Sequence, residues 1–138
     1  GHPQPPAGMI SGRIGRSDAN RKKMAVLSDS SSRGKHAVTH YRTLERRSGC
    51  ALVECRLETG RTHQVRVHLA SIGHALVGDP VYGRTSPQLR PLLQRLGFHR
   101  QALHAAVLGF IHPATGDQMR FTSDLPPDMG ELIEETGH

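Results

Sequence analysis

Two arginines, two histidines and a glutamine crowd into Thr59-Gly60-Arg61-Thr62-His63-Gln64-Val65-Arg66-Val67-His68. Such a set can present a cation to an anionic group, with hydrogen bonds from its neighbours to hold it in place. The elements that must do the holding can be read on either side. Upstream, Cys50-Ala51-Leu52-Val53-Glu54-Cys55-Arg56-Leu57 reads as a strand buried on at least one face. Thr59-Gly60 breaks it, and Thr62 is the expected N-cap of a helix over 62–72. Within that helix Val65, Leu69 and Ile72 fall at i, i+4 and i+7, one apolar stripe facing the core. Arg66 lies three residues after His63, on the same face of the helix. A strand–turn–helix that aims an arginine from its first two turns suits anion binding. The plainer alternative is a solvated basic helix face.

Composition narrows the classes. The chain has 138 residues, 36% of them hydrophobic and none tryptophan, which predicts a single domain or part of one with a modest aliphatic core. No run approaches the roughly 20 apolar residues of a membrane span. No charged-then-apolar leader precedes residue 10, so secretion is not expected. Cys50 and Cys55 are too few and too close for a disulfide framework or a zinc site, so reduced thiols and a cytoplasmic protein are expected. Ten histidines raise the question of metal. None has HExxH or comparable context, and His63 and His68 at i, i+5 share a helical face poorly, so no metal is expected.

The net charge of +6 is unevenly spread. Residues 11–47 hold ten Lys/Arg against three Asp/Glu, a balance of +7; the remainder holds eight against nine, or −1. A basic first third resembles an electrostatic footprint for a polyanion, with nucleic acid the natural partner. Ordinary solubilising charge is the competing reading. Aromatics are scarce and not interleaved with the basic residues, so phosphate tracking along folded RNA fits better than a single-strand stacking platform.

Along the chain, residues 2–8 should form an irregular, proline-rich lead-in. Strands are expected over 9–14, 24–27, 37–44 and 50–57, the last two paired across the turn at 46–49. A polar, mobile Ser/Gly loop is expected over 28–35, and a glycine-rich loop over 73–83. A helix is expected over 88–96, then strands over 102–111 and 119–123 about a turn at 112–117. A terminal helix should open near Pro127. The sum is an α+β fold with a mixed, mostly antiparallel sheet and a few packed helices.

The same residues carry a family resemblance. Leu57-Glu58-Thr59-Gly60-Arg61-Thr62-His63-Gln64-Val65-Arg66-Val67-His68-Leu69, then Gly73-His74 and Gly78-Asp79-Pro80-Val81-Tyr82-Gly83, resemble the RluA-type pseudouridine synthases. Arg100-Gln101-Ala102-Leu103-His104-Ala105, Phe110-Ile111-His112-Pro113 and Asp124-Leu125-Pro126-Pro127-Asp128-Met129 match later segments. Ile14-Gly15-Arg16, Lys23-Met24-Ala25-Val26, Gly34-Lys35 and Thr39-His40-Tyr41 match earlier ones. The likeness covers nearly the whole chain. One departure stands out: the family's nucleophilic aspartate, in a His-Arg-Leu-Asp segment, has no counterpart here, nor does the Lys-x-Tyr strand that supplies its active-site tyrosine. Gly1-His2-Pro3 resembles the sequence just after that strand. Residues 1–138 are therefore expected to be the C-terminal portion of a pseudouridine synthase catalytic domain, inactive alone.

The resemblance implies a chemistry. These enzymes isomerise uridine in RNA, here expected to be large-subunit ribosomal RNA or tRNA, to its C-glycoside by detaching, rotating and reattaching the base. No metal or organic cofactor is needed and no obligate protein partner is evident. A carboxylate is the reactive group, and an arginine keeps it ionised and directed, since a buried carboxylate without a cation takes up a proton. By its place in the motif, Arg66 is that arginine. Arg61, with Arg16, Lys22 and Lys23, is expected on RNA phosphate, or in Arg61's case capping structure. His63, Gln64 and His68 should shape helix and pocket by hydrogen bonds, and Leu57 should pack against the target base. Asp79 in Gly-Asp-Pro is a turn residue, not the nucleophile. Tyr41 sits in a Thr-His-Tyr context that matches a strand other than that of the active-site tyrosine. The rival class is a non-catalytic RNA-binding module that kept the fold.

Overall fold

The computed structural model describes residues 2–20, 22–28, 32–84, 86–104, 107–111, 118–122 and 125–137. In chain order these form β1 (Ala7–Ser11), β2 (Arg13–Arg16), β3 (Met24–Leu27), β4 (Val38–Arg47), β5 (Cys50–Leu57), α1 (Gln64–Ser71), α2 (Arg90–Leu96), β6 (Val107–Ile111), β7 (Gln118–Thr122) and α3 (Pro127–Glu135). The α+β class is as expected, and every strand pairing among the described residues is antiparallel. The strands form three small sheets, β1-β4-β5, β2-β3 and β6-β7, where one mixed sheet was expected.

Local chemistry explains where boundaries move. The single strand expected over 9–14 is two strands parted at Gly12, whose N–H donates to Ala37 O at 3.1 Å. A Cβ at Gly12 would meet Val26 Cγ1 at 2.8 Å, so glycine lets the Val26 side chain lie close against the hand-over between sheets. β1 begins inside the proline-rich lead-in; as the edge strand of its sheet it tolerates prolines just before it. β4 runs on to Arg47 before a tight Ser48-Gly49 turn, with a bulge between Thr43 and Glu45 that absorbs the extra length.

Later elements shift as well. α2 opens at Arg90, with Pro91 in its first turn, two residues inside the expected 88–96. Of the strand expected from 102, Val107–Ile111 is described as strand, whereas Ala102 instead donates its N–H to Val77 O at 2.8 Å and pins the glycine-rich loop. α3 opens at Pro127 as expected. The turn at 112–117 and the serines at 30 and 31 lie outside the described residues.

The aliphatic core is divided, and α1 joins two of its parts. Leu69 packs with Ile10 and Tyr41 under the β1-β4-β5 sheet, while Val67 packs with Ile14 and Ala37 beside the β2-β3 hairpin. Leu93, Phe98, Met129 and Leu132 close the α2–α3 end. The expected stripe on α1 is only partly realised. Leu69 is buried, Val65 half-buried and Ile72 exposed, whereas Gln64, Arg66 and His68 are buried. A helix that buries so many polar groups must satisfy each of them, and those satisfactions build the site.

Candidate active site

The helix start departs from expectation. Thr62 is not the N-cap: α1 begins at Gln64, and His63 precedes it in the left-handed region at φ 55°, ψ 25°, with no side-chain cap. What holds the turn is Gln64. Its Oε1 accepts from Arg61 N–H at 3.0 Å and Thr59 Oγ1–H at 2.7 Å, and its Nε2 donates to Val38 O at 2.9 Å and Thr39 Oγ1 at 3.0 Å. Val38 N–H donates to Thr59 Oγ1 at 3.1 Å, so the Thr59-Gly60-Arg61 turn is stitched to β4.

The same network fixes a histidine tautomer. His68 Nε2 lies 3.2 Å from Gly12 O, and a carbonyl can only accept, so Nε2 carries the proton. In the neutral ring that burial favours, Nδ1 then accepts, and Thr39 Oγ1–H donates to it at 2.8 Å. Burial holds the His68 pKa below its ordinary value, against the opposing pull of the Gly12 carbonyl. Gln64 and His68 are thus interior struts that seat α1 on β4 and Gly12.

On the same helix, Arg66 reaches the glycine-rich loop. Its Nε donates to Asp79 Oδ2 at 2.8 Å and its Nη2 to Asp79 Oδ1 at 3.0 Å, a two-point pair with both side chains nearly sequestered from solvent. Asp79 Oδ1 also accepts from the N–H groups of Val81 at 2.9 Å and Tyr82 at 3.1 Å. Burial raises the Asp79 carboxyl pKa, but the guanidinium and these N–H groups outweigh it and hold it below the usual carboxylate value. Asp79 in turn raises the Arg66 pKa, and the cation is permanent. Gly78 before it has φ 79°, and a Cβ there would run into Arg100 O, so the loop that carries Asp79 takes a path only glycine allows at that position.

Tyr82 completes the cluster. The Arg66 guanidinium carbon lies 5.0 Å from the Tyr82 ring centroid, a cation–π contact. The Tyr82 hydroxyl accepts from Met24 N–H at 3.0 Å and bonds His63 Nδ1 at 2.8 Å, and the two rings meet edge to face. The left-handed turn at His63 is therefore tied to the loop that fixes Arg66. Among the described residues the hydrogen bonds of Arg66 run from Nε and Nη2, and Nη1 makes none. The arrangement can present one oriented, permanently charged guanidinium edge to an anion.

Other expected residues lie apart from this cluster. Arg16 and Arg61 line one cleft of about 410 Å³ with Lys35, Gly15, Gly34 and Gly60. Arg61 Nε also donates to His36 O at 2.8 Å, so the side chain helps hold the turn as well as line the cleft. Lys22 and Lys23 stand on the loop between β2 and β3, beyond the cleft lining. Leu57 ends β5 and is 48% exposed. Sequence reading passed over Tyr82, Thr39 and Thr59, and gave Asp79 only a turn role. A buried aspartate needs a cationic or N–H partner, but its identity lay thirteen residues back on another element.

Among the described residues, no group of three His, Cys, Asp or Glu is placed to hold a metal ion. No helix among them is long and apolar enough to cross a membrane. Residues 2–71 match the family described as RNA pseudouridylate synthase. The chain is 57% identical over 134 residues to a protein of Zymomonas mobilis named ribosomal large subunit pseudouridine synthase D, covering 97% of this chain and 41% of that protein. A protein of the same name from Nitrosomonas europaea is 49% identical over 127 residues, 92% of this chain and 36% of the relative. Among solved structures, human RNA pseudouridylate synthase domain containing 1 superposes with a TM-score of 0.70 at 26% identity, covering 99% of this chain and 61% of that one. The chain spans about two fifths of the length of the curated relatives it matches.

Proposed function

This chain belongs to the RNA pseudouridylate synthase family, and from that premise we propose that it is the C-terminal portion of a catalytic domain that isomerises uridine to pseudouridine in large-subunit ribosomal RNA. In the longer protein Arg66 pairs with the reacting aspartate, keeps it ionised and directs it at the substrate. That aspartate must come from outside residues 1–138, since no His-Arg-Leu-Asp segment occurs here. These residues alone hold an oriented cation but no nucleophilic carboxylate for it to direct, and are inactive. Arg16, Arg61, Lys22 and Lys23 bind RNA phosphate, and Leu57, exposed at the strand end, packs against the target base. An enzyme of ribosomal RNA so built works in the cytoplasm without a cofactor.

The observation that carries the reading is the burial of Arg66 with its charge fixed and one edge left unbonded among the described residues. A surface arginine serving only phosphate would be solvated and mobile. The test is tritium release from RNA labelled at uridine C5, using the longer protein and, in parallel, residues 1–138. Release by the longer protein alone supports the reading. Release by residues 1–138, or by neither protein on any ribosomal RNA, contradicts it, the latter in favour of a binding module.

A further inference from the structure

The guanidinium of Arg66 has two edges, and Asp79 occupies one of them. Nε and Nη2 meet the two oxygens of Asp79 at 2.8 and 3.0 Å, and the Tyr82 ring lies 5.0 Å from the guanidinium carbon. The edge at Nη1 remains. Asp79 cannot swing away, because its Oδ1 also holds the N–H groups of Val81 and Tyr82, and Tyr82 is anchored to Met24 and His63. We infer that Asp79 is a positioning residue for catalysis, setting which edge of Arg66 faces the reacting carboxylate. The inference rests on the pairing of Arg66 with that carboxylate proposed above.

Two consequences follow, of opposite sign. Asp79 fixes the direction of the cation, so its loss should lower the plateau rate. Its negative charge also competes for the same cation, so it holds the reacting carboxylate's pKa higher than Arg66 alone would. Removing that charge should therefore move the acid limb of the rate profile to lower pH while the plateau falls. A residue that merely stabilised the fold would lower the folded fraction and leave the limb where it was.

The experiment measures single-turnover tritium release by the longer protein from pH 4.5 to 8, for the parent, Asp79→Asn, Asp79→Glu and Arg66→Lys, with RNA affinity measured alongside. Asp79→Asn keeps an oxygen for Val81 and Tyr82 but sets an amide N–H against Arg66 Nε. Its plateau rate should fall about tenfold or more, its acid limb should drop by about one pH unit, and its RNA affinity should be unchanged. Asp79→Glu keeps the charge, so its limb should stay in place while its plateau falls. An unmoved limb in Asp79→Asn overturns the inference, as does a parental plateau. Should Asp79→Asn fail to fold, a parental plateau in Asp79→Glu overturns it and a reduced one with parental RNA affinity upholds it. Arg66→Lys separates the two levels. If it reacts at the parental rate, the pairing of Arg66 with the carboxylate is wrong; if it is slow while both Asp79 variants match the parent, only the inference fails.

Discussion

Thr39 donates its hydroxyl proton to His68 Nδ1 at 2.8 Å, at a site where both side chains are fully buried. Protonation at Nδ1 would reverse that donation and place a charged ring in a buried site, which makes the seating of α1 sensitive to acid. Because burial lowers the folded-state pKa of His68, the unfolded chain binds its proton first as pH falls. The stabilisation is complete above about pH 6.5, the unfolded value, and is lost as pH drops below it toward the folded value. Urea midpoints measured from pH 7.5 to 5 should fall, and His68→Gln should flatten that slope. An equal slope in the variant would assign the effect to other groups.

Gln64 is bonded at both ends of its amide, so charge and shape can be separated. Gln64→Glu turns a carboxylate toward Val38 O and Thr39 Oγ1, whereas Gln64→Met only removes the bonds. Leaving buried groups unpaired costs about 1–3 kcal/mol each, more where a charge is involved. Glu should therefore be the less stable variant at pH 7, with the gap narrowing in acid as the new carboxyl takes a proton. Equal unfolding free energies at pH 7 would mean that the site admits water.

These two residues also mark what the sequence could and could not reveal. The β4–β5 hairpin was legible because residues 37–44 alternate well enough for a strand, 50–57 form a largely apolar run, and the polar Ser48-Gly49 turn parts them. Gln64 and His68 were recognised as hydrogen-bonding residues from family resemblance, yet their partners Thr39, Thr59 and Gly12 lie on three other segments. Thr62 has the chemistry of an N-cap, but the glutamine side chain satisfies the turn instead and leaves His63 in the left-handed region. The apolar stripe on α1 misled for the same reason: tertiary hydrogen bonds, rather than apolar spacing, decided which face is buried. Arg66 could be named, but not the partner that holds it.

His63 supplies a backbone test. At φ 55° a side chain pays for a conformation that glycine adopts freely, and here the imidazole offsets that cost through Tyr82. His63→Ala keeps the strained backbone and loses the bond, whereas His63→Gly loses the bond and relieves the strain. Gly should be the more stable of the two by about 1 kcal/mol, opposite to the usual helix ranking. Thermal melts that rank Ala above Gly would refute the left-handed assignment.

RNA binding should divide along different residues. Every phosphate that the protein ceases to neutralise reduces the slope of log affinity against log salt by roughly 0.7–0.9. Replacing Lys22 and Lys23 with alanine, or Arg16 with Arg61, should weaken RNA binding and flatten that slope in the longer protein. A slope unchanged by either double variant would remove the β2–β3 hairpin and its cleft from the interface.

The proposed role of Arg66 is to act on a carboxylate and not chiefly on phosphate. Arg66→Ala in the longer protein leaves two carboxylates without their cation: Asp79, buried here, and the reacting aspartate. The most direct measurement is the single-turnover rate of tritium release at saturating enzyme and neutral pH, beside the RNA dissociation constant of the same folded variant. Under the proposed pairing the rate should be lower by orders of magnitude, the dissociation constant close to the parental one, and recovery only partial in Arg66→Lys, which keeps the charge but not the planar two-point geometry. A near-parental rate with weakened binding would make Arg66 a phosphate contact and contradict the account.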